Sequence, residues 1–146
     1  VNILATLTQN IIIIKNHLDN HKNDIYKDYK PYIEQLSTRL KNCEISENSP
    51  NSSYTSYSVN KGEKIVFCIR QKDTNESFVD MNTITFVSIH ELAHIMTKSI
   101  GHTEEFWNNF RRLLKEAIEL GLYQKEDYQS NPKEYCGIKV TDSPLD

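Results

Sequence analysis

Residues 89–106 read IHELAHIMTKSIGHTEEF. A histidine, a glutamate and a second histidine stand at 90, 91 and 94, and a third histidine follows at 102. An α-helix turns once every 3.6 residues, so side chains four apart leave the same face. His90 and His94 can therefore offer both imidazoles to one point. Zinc accepts imidazole nitrogen at about 2.0–2.1 Å in tetrahedral geometry. Glu91 leaves the helix one position round, close to such an ion but offset from the two rings. There its carboxylate can take a proton from an attacking water. The flanking residues predict a helix over 82–99. Ile84, Phe86, Val87, Ile89, Leu92, Ala93, Ile95 and Met96 make it apolar nearly all round, which is the mark of a buried helix. Asn82 or Thr83 can cap its start. Burying two imidazoles and a carboxylate there without partners costs several kcal/mol. A bound metal offsets that cost; satisfied core histidines are the plainer alternative.

Catalytic zinc commonly takes three protein ligands and leaves a fourth position open. His102 is the leading third ligand. Ile100-Gly101 can reverse the chain after the helix, and Gly101 suits the left-handed backbone such a reversal uses. Thr103 then caps a further helix, with Glu104 and Glu105 in its first turn. The positive end of that helix disfavours a protonated ring at His102. An exposed cap-region histidine is the other reading of this residue. Glu116 and Glu119, on the same downstream helix, are competing third donors. His17 and His21 are also four apart, but they lack both the intervening glutamate and the apolar setting, and read as a solvated face.

Working outward, Leu4, Leu7, Ile11, Ile14 and Leu18 form one stripe and predict a helix over 3–20. A second helix over 25–41 carries Tyr29, Tyr32, Ile33, Leu36 and Leu40, with Pro31 in its first turn. SENSPNSS (46–53) reads as a loop. Segments 54–59 and 64–70 flank Asn60-Lys61-Gly62-Glu63 and predict a β-hairpin. A polar turn at 71–77 leads to a short strand at Phe78-Val79. Downstream, Phe106, Phe110, Leu113, Leu114, Ala117 and Ile118 form the inner face of the next helix, and Gly121 ends it. The tail from Leu122, with Tyr128, Tyr135, Cys136 and Gly137, has no clear period and reads as an irregular cover. The 146 residues suit one α+β domain. Its parts are N-terminal helices (1–42), a sheet region (43–81), the two site helices (82–121) and the tail (122–146).

A net charge of −3 gives no footing for non-specific nucleic-acid binding. Arg111, Arg112 and Lys115 read as a solvated helix face. The longest aliphatic run, Ile11 to Ile14, is far too short to span a membrane, and no secretory signal is visible. The chain begins at Val1, which leaves room for a preceding anchor or targeting segment. Cys43, Cys68 and Cys136 are odd in number, widely spaced and outside any C-x-x-C. They predict three reduced thiols in an intracellular, cytoplasmic setting, and no cysteine-based zinc site.

The motif H-E-L-A-H followed by His102-Thr-Glu-Glu-Phe106-Trp107 resembles the small intracellular zinc metallopeptidases of the SprT-like and WLM type. In those a third histidine precedes a helix bearing an aromatic pair. The stretches NKGEKIVFCIR (60–70) and EYCG (134–137) resemble parts of uncharacterised metallopeptidase-like proteins of large DNA viruses. The resemblance implies a minimal zincin fold: a small, antiparallel-rich sheet packed on the active-site helix, and a second helix supplying the last ligand. It implies Zn2+ on His90, His94 and His102, Glu91 as general base, and a protein or peptide substrate. Such a peptide could add as a strand to the edge offered by 64–70 or its neighbour. Tyr135, Tyr128 and Tyr123 are chemically suited to stabilise an oxyanion, though nothing in the sequence places them. Two other functions fit the residues: hydrolysis of a different amide, and a zinc-stabilised interaction module without turnover.

Overall fold

The N-terminal stripe folds as α1 (Ile3–His21), with Leu7, Ile11, Ile14 and Leu18 buried. Asn2 caps it by accepting from the Ala5 amide at 3.0 Å. The computed structural model describes residues 2–49, 52, 55–71 and 77–146. Tyr54, three residues of the loop expected at 46–53 (Pro50, Asn51 and Ser53) and the interior of the turn expected at 71–77 lie outside the described residues. A short 3₁₀ turn, Lys27–Tyr29, leads into α2 (Lys30–Leu40), which holds Pro31 in its first turn as its fixed φ favours.

Three strands form a mixed sheet in the order β1-β3-β2: β1 (Glu44–Glu47), β2 (Tyr57–Val59) and β3 (Lys64–Phe67). The expected hairpin is present, with β2 antiparallel to β3 and Ser58 opposite Ile65. Asn60, Lys61 and Gly62 make its turn with φ of 48°, 53° and 118°. Gly62 is also a close approach, because a Cβ there would stand 3.1 Å from Arg39 Cβ and 3.3 Å from Ile95 Cγ2. Strand β1 pairs parallel to β3, Ile45 opposite Ile65. It takes in Ser46 and Glu47, which the polar composition assigned to a loop. EISE has no alternation of its own, and it becomes a strand because β3 offers an open edge. Strand β3 stops at Phe67; beyond it, among the described residues, an isolated bridge joins Arg70 to Phe78, and the Val79 amide donates to the Ile69 carbonyl.

Helix α3 (Met81–Met96) carries the HELAH motif. It contacts α1, α2, α4 and strand β2, so apolar residues all round it find partners. Its cap is Asp80 rather than Asn82 or Thr83, and the Asp80 carboxylate accepts from both the amide and the hydroxyl of Thr83. The helix ends three residues before the expected Ser99. Thr97 is extended, and its hydroxyl donates to the Ala93 carbonyl while accepting from Asn109 Nδ2. Helix α4 (Glu104–Glu119) starts on Thr103, whose hydroxyl accepts from the Phe106 amide. Phe106, Phe110, Leu113, Leu114 and Ala117 are its buried face, whereas Ile118, expected inside, is 36% exposed.

The tail, expected to be an ordered but irregular cover, is more regular than its sequence suggests. β4 (Lys133–Tyr135) and β5 (Ile138–Val140) form an antiparallel hairpin around Cys136 and Gly137, both at positive φ. Strands of three residues are too short to show an alternation. A disulfide joins Cys68, at the end of β3, to Cys136 in the hairpin turn. The expectation of three reduced thiols is therefore corrected: Cys43 alone is free. The inference from free thiols to an intracellular setting loses its basis. The pairing was invisible because the two cysteines are 68 residues apart and meet only when the tail folds over the sheet. Closing a loop of that length contributes on the order of 4 kcal/mol in the chain-entropy model. Among the described residues no helix is long and apolar enough to cross a membrane.

Candidate metal centre

His90 and His94 leave one face of α3 with ring centroids 4.7 Å apart. His102 arrives from the α3–α4 connection, its ring 5.3 Å from that of His90 and 5.1 Å from that of His94. One nitrogen from each of the three lies within 4.8 Å of the others, and no other such group of histidine, cysteine and carboxylate ligands occurs among the described residues. Nε2 of His90 stands 3.3 Å from Nε2 of His102. Two nitrogens on one tetrahedral zinc at about 2.0–2.1 Å are about 3.3–3.4 Å apart, so this pair already has the spacing of shared ligands. Glu91 is 5% exposed, and its Oε2 lies 3.1 Å from His90 Nδ1. A carboxylate only accepts, so His90 donates from Nδ1 and keeps the Nε2 lone pair for the shared point. Burial, then the neighbouring His90 and His102, push the His94 pKa down to about 4. Burial and His90 lower that of His102 as well, against an opposing pull from Glu91. Both rings are neutral at neutral pH, the state in which imidazole binds a metal. These donors fit a divalent cation such as zinc.

The aromatic pair noted in the sequence frames the rings. Phe106 stacks on His94 at 4.3 Å and touches His90 and His102 edge-on or tilted. Phe110 lies against His90, and Trp107 against His102.

The segment that delivers His102 is tied down by residues the sequence did not single out. Lys61, from the β2–β3 turn, donates to the carbonyls of Thr97 and Ser99. Gln35 and Arg39 of α2 donate to the carbonyls at the end of α3, Ile95 receiving both and Met96 receiving Gln35. Glu105 accepts from the amide and hydroxyl of Ser99 and from Tyr32, and these bonds hold its carboxyl below the usual range. Ser99 also bonds Thr103 at 2.7 Å. Glu105 was legible only as a first-turn carboxylate favoured by the helix dipole. Its second role depends on where Tyr32 and Ser99 end up.

The structure does not bring the other candidates to the three rings. Glu116 is buried elsewhere on α4, its Oε2 2.5 Å from the Tyr26 hydroxyl and 3.5 Å from His17 Nε2. Glu119 is exposed at the end of the helix. His17 and His21 are less solvated than expected. His17 bonds Tyr26 at 3.2 Å, and His21 lies 3.4 Å from Asp24. Tyr123 and Tyr128 bond each other at 2.8 Å and pack on Phe86. Tyr135 is buried at the site's margin, close enough for the Glu91 charge to help raise its pKa, although burial is the larger cause. Its hydroxyl donates to the Cys68 carbonyl and bonds Ser56.

Two clefts meet at His90 and Glu91. The wider, about 620 Å³, takes in Ser56, Tyr57 and Ser58 of the β2 region, Lys61 and His94. The narrower, about 290 Å³, lies between α3, α4 and the β4–β5 hairpin.

A small mixed sheet behind a buried HExxH helix, with a third histidine delivered from the next turn, is the arrangement of the zincin class. The chain belongs to the WLM-domain family, whose model matches residues 38–144. It is 38% identical over 143 residues to an uncharacterised protein of Acanthamoeba polyphaga mimivirus, a match covering 98% of this chain and 72% of that protein. An uncharacterised protein of Invertebrate iridescent virus 6 is 37% identical over 111 residues, covering 75% of this chain and 59% of the relative. Among solved structures, a mutant of Wss1 from Saccharomyces cerevisiae superposes with a TM-score of 0.48 at 22% identity, over 70% of this chain and 86% of that one.

Proposed function

We propose that this chain is a zinc-dependent metallopeptidase that cleaves peptide bonds in a protein or peptide substrate. The observation that carries the reading is the convergence of His90, His94 and His102 beside a buried Glu91, where two clefts meet. Zinc, when bound, makes a water acidic near neutral pH and polarises a carbonyl. The three histidines would hold the ion. Glu91 takes the proton of the attacking water on its carboxylate and passes it to the nitrogen of the leaving amine. β2 is the edge strand next to the wider cleft, so an extended peptide adds to β2 and not to the central β3.

The test is digestion of a panel of unfolded proteins and small amides by metal-stripped and zinc-loaded protein. Cleavage of proteins is expected only with zinc. Glu91→Gln is expected to keep zinc and lose roughly 10²–10⁴-fold in turnover. Retained turnover removes the general-base role. Hydrolysis confined to small amides, or a zinc-bound chain with no turnover, favours the two alternative functions.

A further inference from the structure

The β4–β5 hairpin carries one wall of the candidate site. Tyr135, Ile138, Lys139 and Val140 line the narrower cleft together with His90 and Glu91. Two strands of three residues do not hold such a wall by themselves, because an isolated hairpin is marginal in water. What holds it is a set of ties to the segment after β3. The Tyr135 hydroxyl donates to the Cys68 carbonyl, the Cys136 amide donates to Gln71 Oε1 at 2.9 Å, and Gln71 Nε2 donates to the Glu134 carbonyl at 3.2 Å. The Cys68–Cys136 disulfide adds a covalent tie to these modest ones. Two features mark the cysteine pair as more than a staple. Cys136 has a φ of 50° and Gly137 one of 89°, and the first of two positive angles in a tight hairpin turn suits Asn, Asp or Gly. A cysteine there bears backbone strain that the turn itself does not need. The Arg70 carbonyl oxygen, in turn, lies 3.0 Å from Cys68 Sγ and 3.3 Å from Cys136 Sγ. With the disulfide open, that oxygen can accept from both S–H groups through its two lone pairs. The pair is thus provided for in both oxidation states, and the reduced chain buries no orphaned thiol.

We propose that Cys68 and Cys136 form a redox latch on the candidate site. Oxidised, they fix the hairpin as a wall beside Glu91; reduced by a dithiol, they free the hairpin to open while the three histidines keep their places. One thiolate of the dithiol bonds Cys136 Sγ, and Cys68 Sγ leaves with the bonding pair and takes a proton. The second thiolate then displaces Cys136 Sγ, which takes the other proton, and the dithiol ends as its own disulfide after giving up two electrons. Both cysteines are buried, Cys68 at 2% and Cys136 at 1% exposed, so reduction waits on opening of the hairpin and is slow. The ties that place His102 come from Lys61, Gln35, Arg39 and Glu105, and none of them passes through the hairpin. Metal binding and the wall are therefore separable. Opening takes the Tyr135 ring from beside Glu91 and admits water, so turnover falls; that last consequence alone rests on the peptidase reading.

The zinc-loaded full chain is incubated with a water-soluble phosphine, used because a dithiol also chelates zinc; the phosphine ends as its oxide, with oxygen from water. Alkylation and mass spectrometry count the thiols, and Cys43 alone is expected to label before reduction and all three cysteines after it. Hydrogen exchange is then followed in both states. Peptides over 133–140 should exchange at least about 10-fold faster in the reduced protein, because a cross-link closing so long a loop outweighs that factor in the chain-entropy model. Peptides over 81–96 and the zinc content should stay as in the oxidised protein, and reoxidation should restore slow exchange. The double variant Cys68→Ala, Cys136→Ala should exchange fast over 133–140 and be indifferent to the phosphine. On a peptide substrate, kcat/KM should fall about 10-fold or more on reduction and recover on reoxidation. Unchanged exchange over 133–140 after full reduction overturns the latch. So does a protein that labels at all three cysteines and cannot be oxidised, or one whose reduction also strips zinc and loosens 81–96. Equal cleavage in both states overturns it as well and leaves the peptidase reading standing. Reversible loosening of 133–140 with zinc retained, and no cleavage in either state, upholds the latch and removes the peptidase reading.

Discussion

Two pairs of histidines four residues apart sit on two helices of this protein, and they have come to different ends. On α3, His90 and His94 face a third imidazole and a stacked Phe106. On α1, His17 and His21 have rings at a similar distance, 5.0 Å, but each is drawn to a different neighbour. His17 faces Tyr26 and Glu116, and His21 faces Asp24. The nearest buried carboxylate, Glu116, is already taken by the Tyr26 hydroxyl. A helix thus supplies two ligands through its period alone. A metal centre needs a third, brought in by another element and held there.

That comparison can be broken most sharply at the third ligand. His102→Ala is expected to weaken zinc binding by more than about 100-fold, since even losses outside the ligand set cost 10–100-fold. His17→Ala and His21→Ala should leave zinc affinity unchanged. Competition against a chromogenic chelator measures all three, and similar losses in both pairs would erase the distinction.

The next effect concerns what holds His102. Glu105→Gln weakens the clasp on Ser99 and Tyr32, and Lys61→Met releases the Thr97 and Ser99 carbonyls. Each is expected to cost roughly 10–100-fold in zinc affinity, the range of supporting shells around metal ligands. Lys61→Arg should recover part of it. Unchanged affinity in the same chelator assay would mean that His102 is held by its own turn.

The smallest effect separates stability from metal binding. Glu116→Gln keeps the shape and removes the charge that Tyr26 and His17 face. It should lower the unfolding free energy in urea by about 1–3 kcal/mol, with zinc affinity as in wild type. A drop in zinc affinity would return Glu116 to the list of ligands.

The helices around the site were legible because each carries a long apolar pattern: Leu7 to Leu18 on α1, Ile84 to Met96 on α3, Phe106 to Ala117 on α4. The β2–β3 hairpin was legible from Asn60-Lys61-Gly62, whose residues accept positive φ. Strand β1 and the β4–β5 hairpin were not. They are three or four residues long and take their conformation from a neighbouring strand or a disulfide. The cysteines misled for the same reason, because wide spacing in sequence says nothing about which thiols meet.

Sequence alone determined the α3 constellation, since helical period and apolar setting are local properties that put His90, Glu91 and His94 together wherever the helix lies. Tertiary structure put His102, and not Glu116, beside the two α3 rings. It made that choice through Tyr26, Glu105 and Lys61, whose partners are distant in the chain, and contacts between distant residues leave no periodic trace. The same holds for the narrower cleft beside Glu91, whose walls come from α3, α4 and the β4–β5 hairpin.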